Sequence, residues 1–556
     1  VNEKVDASAM IHNMFFISTL EKGPSILNEN MFIPVPGAEV LAGKKVCAIL
    51  PYQNNQILFV TSLYGVYYFD GHSIKPFKTT FDDFLIKNQV FCATTNGKQI
   101  VYGTVQKGIV IQNLNDDDEI YVNSFSGLQN NTVLSLAFDS QDNLWLGLDK
   151  GIDHVRLNTN IYSMFESNNL YGSGYTSLLY KNTLYFGTNQ GLYQTPYPIK
   201  NNPNGLNNHL VNEMEGQVWF LDNIDETLFC GTDRGLFMIK DGKLEKLSVT
   251  SGTWSVKRLK QHPDLLLGCS YQGLFILKNN RGKWEFSHYI KGNFKEASGM
   301  FEEDESGGIW ISHWQKGVYR LEINDRFDSI TNVHFYDKNK GLPTNRNNTF
   351  YRVDDDLVFS SEGGFYSYDK KTDSIHLNKR WNGIFKYPPN SIRLKENKQG
   401  DVWCVSGSFF GLAKKMGKGS YSLDSLSYKS LQSKIILGFE HFNFIDTSNV
   451  IISTEDGFSW IDLSHDIAKN QKFKIVIRNV SVSQKEDRGI SDLYFENRNG
   501  KKDVFPSQQN SIRIEFLAPA FFDNEQVKYS YILENFDKNW SEYNAQNVKE
   551  YTALPR

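Results

Sequence analysis

Cysteine is scarce and scattered. Cys47, Cys92, Cys230, Cys269 and Cys404 lie far apart with no CxxC spacing. That argues against a disulfide framework or a zinc site, and for small buried hydrophobes in strand-like runs such as "LFCGT" and "LLGCS". No run reaches the roughly 18 apolar residues of a membrane-spanning helix. No signal peptide is legible either, and the chain starts at Val1, as a mature or truncated form would. Blocks of one charge are missing too. Asp116-Asp117-Asp118-Glu119 reads as a solvated loop, and the net charge is −4 over 556 residues. No surface for nucleic acid and no polybasic membrane anchor is expected. The chain lacks sustained 3.6-residue periodicity, which excludes a helical repeat array. It also lacks GxGxxG, a phosphate-binding loop, HExxH and GxSxG. The eleven histidines have no ligand spacing, so neither a metal nor a cofactor is expected.

What is abundant is aromatic. Phe, Tyr and Trp make up 14% of the chain, and aromatic residues favour strands. One pattern recurs. A short apolar strand, a polar turn and a second strand ending in Gly-Thr or Ser-Thr lead to a Gly and an apolar-aromatic strand. "SLLYKNTLYFGTNQGLYQT" and "NVIISTEDGFSWIDL" are two copies. The repeat glycines are Gly23, Gly65, Gly108, Gly151, Gly191, Gly235, Gly273, Gly317, Gly364, Gly411 and Gly457. They are spaced by about 38–48 residues, the length of one four-stranded propeller blade. Each Gly would sit in a turn needing φ > 0, and the small residue before it would lie where the structure is crowded. Sheets sandwiched between others are apolar on both faces, which explains poorly alternating runs such as "DLLLG".

The expected fold class is therefore all-β, as tandem β-propellers. Eleven repeats exceed the usual four to eight blades. Residues 161–467 would form a seven-bladed propeller, and residues 1–160 the last blades of another whose opening blades lie outside this chain. A split into five and six is the competing count, and a solenoid the competing architecture. Over 468–556 the strands lengthen and alternate with period two, as in "NSIRIEFLAPAFF", which reads as part of an immunoglobulin-like sandwich.

These repeats resemble the regulator-propeller repeat of Bacteroidetes sensor proteins. The resemblance is carried by Asp139, Trp145 and Gly151 in "LAFDSQDNLWLGLDKGI" and by Asp304, Trp310 and Gly317 in "MFEEDESGGIWISHWQKGVYRL". "KGLPTNRNNT" resembles the linker that often precedes a blade. The C-terminal segment resembles the triple-tyrosine domain of the same proteins through Tyr529, Tyr531, Trp540 and Tyr551. The resemblance implies a periplasmic sensor region of a membrane-spanning regulator whose output is a helix-turn-helix domain or a histidine kinase. It implies non-catalytic binding of an oligosaccharide or another extracytoplasmic signal. It further implies a homodimer through the triple-tyrosine region or the propellers, no nucleic-acid contact by this region, and membrane attachment only through a segment outside the chain.

Other readings stay open on the residues alone. A propeller glycosidase or lyase would need a carboxylate pair on the channel floor. A scaffold subunit of an envelope complex would need a wide apolar face. The turns "DSQDNLW" and "DESGGIW" resemble the Asp-box turns of sialidases, but read first as β-turns in which the Asp caps backbone N–H groups. Candidates for ligand contact are Trp314, His313, Trp254, Trp381 and Arg346. Trp314 leads, because it is bulky where other repeats are small or polar. No catalytic residue is expected.

Overall fold

The computed structural model of the chain describes residues 3–554 except 116–118, 158, 165–170, 200–207, 241–242, 248–251, 295, 297–298, 314, 387, 389, 418, 426, 465–474, 483–510, 519–526 and 553. Strand accounts for 55% of the chain and helix for 7%, so the fold is all-β. The chain divides into two compact units, Val1–Ile467 and Ala468–Arg556.

In the first unit antiparallel sheets follow one another along the chain. Sheets 1–4 occupy 5–34, 46–77, 90–122 and 133–155. Sheets 5–10 occupy 174–215, 218–246, 253–289, 301–336, 349–377 and 393–424, and sheet 11 occupies 442–462. Each is a meander of neighbouring strands; sheet 4 has three strands among the described residues, the others four. Sheet 11 takes its fourth strand from elsewhere in the chain: Ile161–Met164 pairs antiparallel with Gly457–Asp462, from Ile161↔Ile461 to Met164↔Phe458.

The repeat pattern has a direct local cause. In five of the sheets the Thr or Ser ending the second strand is buried, and its hydroxyl donates to the carbonyl of the repeat Gly. Examples are Thr61 to Gly65 (2.6 Å), Thr104 to Gly108 (2.8 Å), Thr232 to Gly235 (3.1 Å) and Ser270 to Gly273 (3.1 Å). Nine of the repeat glycines adopt the left-handed backbone the turn requires; Gly191 and Gly411 do not. Gly411 instead pairs with Cys404 inside a strand. The glycine before the Thr answers to crowding. A Cβ on Gly187 would stand 2.6 Å from Val218 of the next sheet, and one on Gly231 2.5 Å from the Thr253 carbonyl.

Packing between sheets closes a ring. Both faces of the central strands are buried, as in Thr227–Thr232 and Leu265–Ser270. Seven apolar clusters join sheets 5–11 pairwise. The last sets Leu184 and Phe186 of sheet 5 against Ile451 and Phe458 of sheet 11. Fully burying one such side chain contributes about 1.5–3 kcal/mol, and the borrowed strand adds backbone bonds across the chain ends. In sheets 1–4 three clusters link successive sheets; among the described residues no cluster joins sheet 4 back to sheet 1. These four sheets form an open arc.

Two short helices, α1 (Asp82–Asn88) and α2 (Lys379–Phe385), interrupt the strands. The sequence pattern gave no sign of them. Asn382 of α2 is fully buried, accepts from the Phe365 N–H (3.0 Å) and donates to the Phe365 carbonyl (2.7 Å). All five cysteines are free thiols, and burial pushes their pKa values up.

The second unit holds a three-stranded antiparallel sheet of Val476–Val482, Ile512–Leu517 and Val548–Tyr551. Its core gathers Phe516, Ala518 and Tyr529, with Tyr531 against them. The Tyr529 hydroxyl accepts the Ala518 N–H (3.1 Å), and the Tyr551 hydroxyl donates to Asp537 (2.8 Å). Trp540, expected among the structural residues here, is 65% exposed.

Candidate ligand pocket at the ring mouth

The ring surrounds a cavity of about 1000 Å³ at the end where first strands begin and second strands turn into third. Every sheet from 5 to 11, or a turn beside it, supplies lining residues. One backbone device populates it. In sheets 5, 6 and 7 the pairing of the first two strands slips by one residue at Tyr175, Trp219 and Trp254. A bulge leaves one residue unpaired and re-aims its side chain, and all three aromatics line the cavity. Sheets 1–4 carry the same slip with Asp6, Cys47, Phe91 and Leu134.

The result is an aromatic wall. Trp219 and Trp254 stack with centroids 4.1 Å apart and planes 10° from parallel. Tyr271, from the sheet 7 turn, stands edge-on at 5.7 Å to both. Tyr175 stacks on Phe439 at 3.8 Å. Offset and edge-on pairs of this kind contribute about 0.5–1.5 kcal/mol beyond area burial, so the wall is held before any ligand arrives.

Opposite chemistry comes from sheets 10 and 11. Arg393 Nε meets Glu440 Oε2 at 2.7 Å, and the Glu440 side chain is only 3% exposed. Its Oε2 also accepts the Gly438 N–H (2.9 Å). Burial raises the Glu440 pKa, against the pull of Arg393. His441 donates from Nε2 to the Ser177 carbonyl (3.0 Å). Burial, reinforced by the Lys395 ammonium, holds its imidazole down at about 4, so it is neutral at pH 7. Among the described residues no group of His, Cys, Asp and Glu could hold a metal.

The sequence candidates scatter. Trp254 lies in this cavity. Trp381 does not: it is fully buried in α2, against Phe385 and Tyr421, so a ligand role for it is corrected to a core role. His313 serves its own turn, where Nδ1 accepts the N–H groups of Gln315 and Lys316 (3.2 Å each) and Nε2 faces Glu296 at 3.5 Å. Arg346 is exposed beside the cavity residue Asn347. Trp314 lies outside the described residues. Trp219, Tyr271, Tyr175, Phe439, Arg393, Glu440 and His441 were not singled out from sequence. A signal for two of them was present: "GYTS" and "VWFL" place Tyr175 and Trp219 at the repeat position that Trp254 holds in "TWSV".

The Asp-box-like turns are structural. Asp139 Oδ1 accepts the Gln141 and Asn143 N–H groups (2.8 and 2.9 Å), and His154 approaches Oδ2 at 3.1 Å. Trp145 lies against His154, and Gly151 has φ 98°. Asp304 accepts the Ser306 and Gly308 N–H groups (2.9 Å each), Trp310 Nε1 (3.0 Å) and Arg320 Nε (2.6 Å). Trp310 is fully buried, and Gly317 has φ 128°. A second cavity of about 650 Å³ lies beside this turn.

The profile of the two component regulator propeller family matches residues 127–150, the repeat built around Asp139 and Trp145. That match covers one repeat of the chain, the one in sheet 4. Among solved structures, the chain is similar to the extracellular domain of the putative hybrid two component system BT3049 from B. thetaiotaomicron. The identity is 16%, with 99% of this chain and 74% of that one covered at a TM-score of 0.67. It also matches the extracellular domain of the putative hybrid two component system BT4673 from B. thetaiotaomicron at 15% identity, covering 100% of this chain and 77% of that one, TM-score 0.43. No curated protein matches the chain. At such identities the likeness to BT3049 is one of fold.

Proposed function

We propose that this chain is the extracytoplasmic sensing region of a membrane-spanning transcriptional regulator of the regulator-propeller kind, and that it binds an oligosaccharide at the ring mouth without transforming it. The observation carrying the reading is the cavity itself. A pre-stacked aromatic wall and a set of paired polar groups line one concave site built from a whole ring of sheets. Rigid aromatics that bind apolar faces of a ligand, beside a few oriented polar groups, are the general form of a binding pocket. The fold shared with the extracellular domain of BT3049 supports a sensor role. Among the described residues no helix is long and apolar enough to cross a membrane, and attachment is assigned to a segment outside this chain.

Non-catalytic binding is supported by the state of the carboxylates. Glycoside hydrolysis needs two carboxyl groups free to trade protons and attack. At this cavity Glu440 is engaged with Arg393 and the Gly438 N–H, which leaves Glu362. The test is incubation of the purified chain with a library of defined oligosaccharides. Melting-temperature shifts and calorimetry read binding, and chromatography reads the sugars. Binding with unchanged sugars is expected. Turnover abolished by Glu362→Gln would transfer the protein to the glycosidases. Homodimerisation is a further part of the proposal, read by sedimentation with and without the bound sugar.

A further inference from the structure

The aromatic wall is open at one place, and the reason is a glycine. A Cβ on Gly299 would stand 3.5 Å from Cε3, 3.7 Å from Cδ2 and 3.7 Å from Cβ of Trp254. Those are ordinary van der Waals distances, so a side chain would fit there and would rest on the indole. Nor does the backbone require glycine, since Gly299 does not adopt a left-handed φ. Gly252 differs: a Cβ there would collide with Tyr271 at 2.6 Å and with Trp219 at 2.7 Å. Gly252 is demanded by the aromatic packing; among the described residues nothing demands a glycine at Gly299. Both residues line the cavity, and the missing side chain leaves the Cδ2–Cε3 side of Trp254 without the contact a Cβ would make.

The charges limit what can lie there. Arg393 is neutralised by Glu440, whose side chain is buried, and His441 donates its proton to a carbonyl. Glu362, exposed at the rim, has no ion pair among the described residues. Counting Arg393, Glu440 and Glu362, the cavity carries one uncompensated negative charge. A carboxylate or sulfate would meet repulsion, and among the described lining residues no cation lacks a carboxylate partner. Hydrogen-bonding capacity is available instead: the side chains of Asn347, Asn390 and Ser408 line the cavity and have no partner among the described residues.

We propose that the ring mouth selects an uncharged pyranose, which stacks on the part of Trp254 that Gly299 leaves bare and turns its hydroxyls toward Asn347, Asn390 and Ser408. This rests on the oligosaccharide-sensing reading above. The axial C–H face of a pyranose is flat and apolar and matches an indole, while the rim of hydroxyls needs neutral donors and acceptors.

The experiment titrates the full chain with manno-, xylo- and cello-oligosaccharides, and with oligogalacturonate and chondroitin sulfate oligosaccharides as charged probes. Wild type, Gly299→Leu, Gly299→Ala and Trp254→Ala are compared, with melting temperature measured on each. A neutral probe is expected to bind wild type. Its affinity should fall at least about tenfold, some 1.4 kcal/mol, in Gly299→Leu at unchanged melting temperature, and less in Gly299→Ala. If Gly299→Leu is unstable, Gly299→Ala and Trp254→Ala carry the comparison. Binding of the charged probes alone would overturn the neutral-sugar inference and leave the sensing reading intact. Neutral binding that survives both Gly299→Leu and Trp254→Ala would overturn the subsite in the same way. Binding of no probe at all by wild type would overturn both.

Discussion

Asp304 offers the sharpest test of how a blade is held. Its side chain is 16% exposed and that of its partner Arg320 10%. Burial alone would raise the carboxyl pKa. Hydrogen bonds from Arg320, Ser306 and Gly308 overcome that and hold it at about 2, against an ordinary 3.8. At about 1.36 kcal/mol per tenfold step, the ionised carboxylate contributes about 2.5 kcal/mol. Because the folded value is depressed, that stability is complete above about pH 4–5 and is lost as pH falls through 2. Asp304→Asn keeps an acceptor for the turn but strips the charge from a buried pair. The expected loss is about 2.5–4 kcal/mol at pH 7, near the lower end known for breaking such pairs. Asp304→Ala also orphans the Ser306 and Gly308 N–H groups and Trp310 Nε1, adding about 1–3 kcal/mol. A chain with several cooperative units has no single unfolding free energy. Hydrogen exchange of the Ser306 and Gly308 amides therefore isolates the ring, with urea midpoints as the global measure. An Asn variant within about 0.5 kcal/mol of wild type would refute the reasoning, since that is the size of an ordinary surface substitution. So would a deficit that fails to shrink between pH 5 and pH 2.

Three further outcomes follow from placement. Trp381→Ala, in the core between sheets 9 and 10, should cost about 3–5 kcal/mol, whereas Trp254→Ala, at a partly buried position, should cost less; paired urea melts decide it. His441, held at about 4 by burial, resists protonation in the folded ring. The ring should lose up to about 3 kcal/mol as pH falls from 6.5 to 4, and His441→Gln should flatten that part of the pH–melting profile. Tyr551→Phe removes the hydrogen bond to Asp537. It should lower the melting transition of the 468–556 unit by about 1 kcal/mol and leave the ring's transition unmoved, as calorimetry of the whole chain would show.

The repeat itself was legible because its causes are local. A turn closed by a Thr hydroxyl and a left-handed Gly needs those residues at fixed spacing, whatever surrounds them. A buried central strand likewise needs an unbroken apolar run. Composition, the period of the glycines and the turn chemistry of Asp139 and Asp304 therefore determined the all-β class and the chain of sheets. The site was hardly legible, because nothing local marks it. Trp254 and Trp381 are the same residue in polar surroundings of sequence, yet a bulge turns one into the ring mouth and a two-turn helix folds the other into the core. Arg393 with Glu440, and Trp219 with Trp254, are far apart along the chain or sit in different repeats. They meet only because seven sheets pack face to face and the strand Ile161–Met164 closes the circle. Ring closure is a property of the summed packing angles between sheets, which no single repeat encodes. The cavity at its centre, with its charge and its one bare aromatic edge beside Gly299, was decided there.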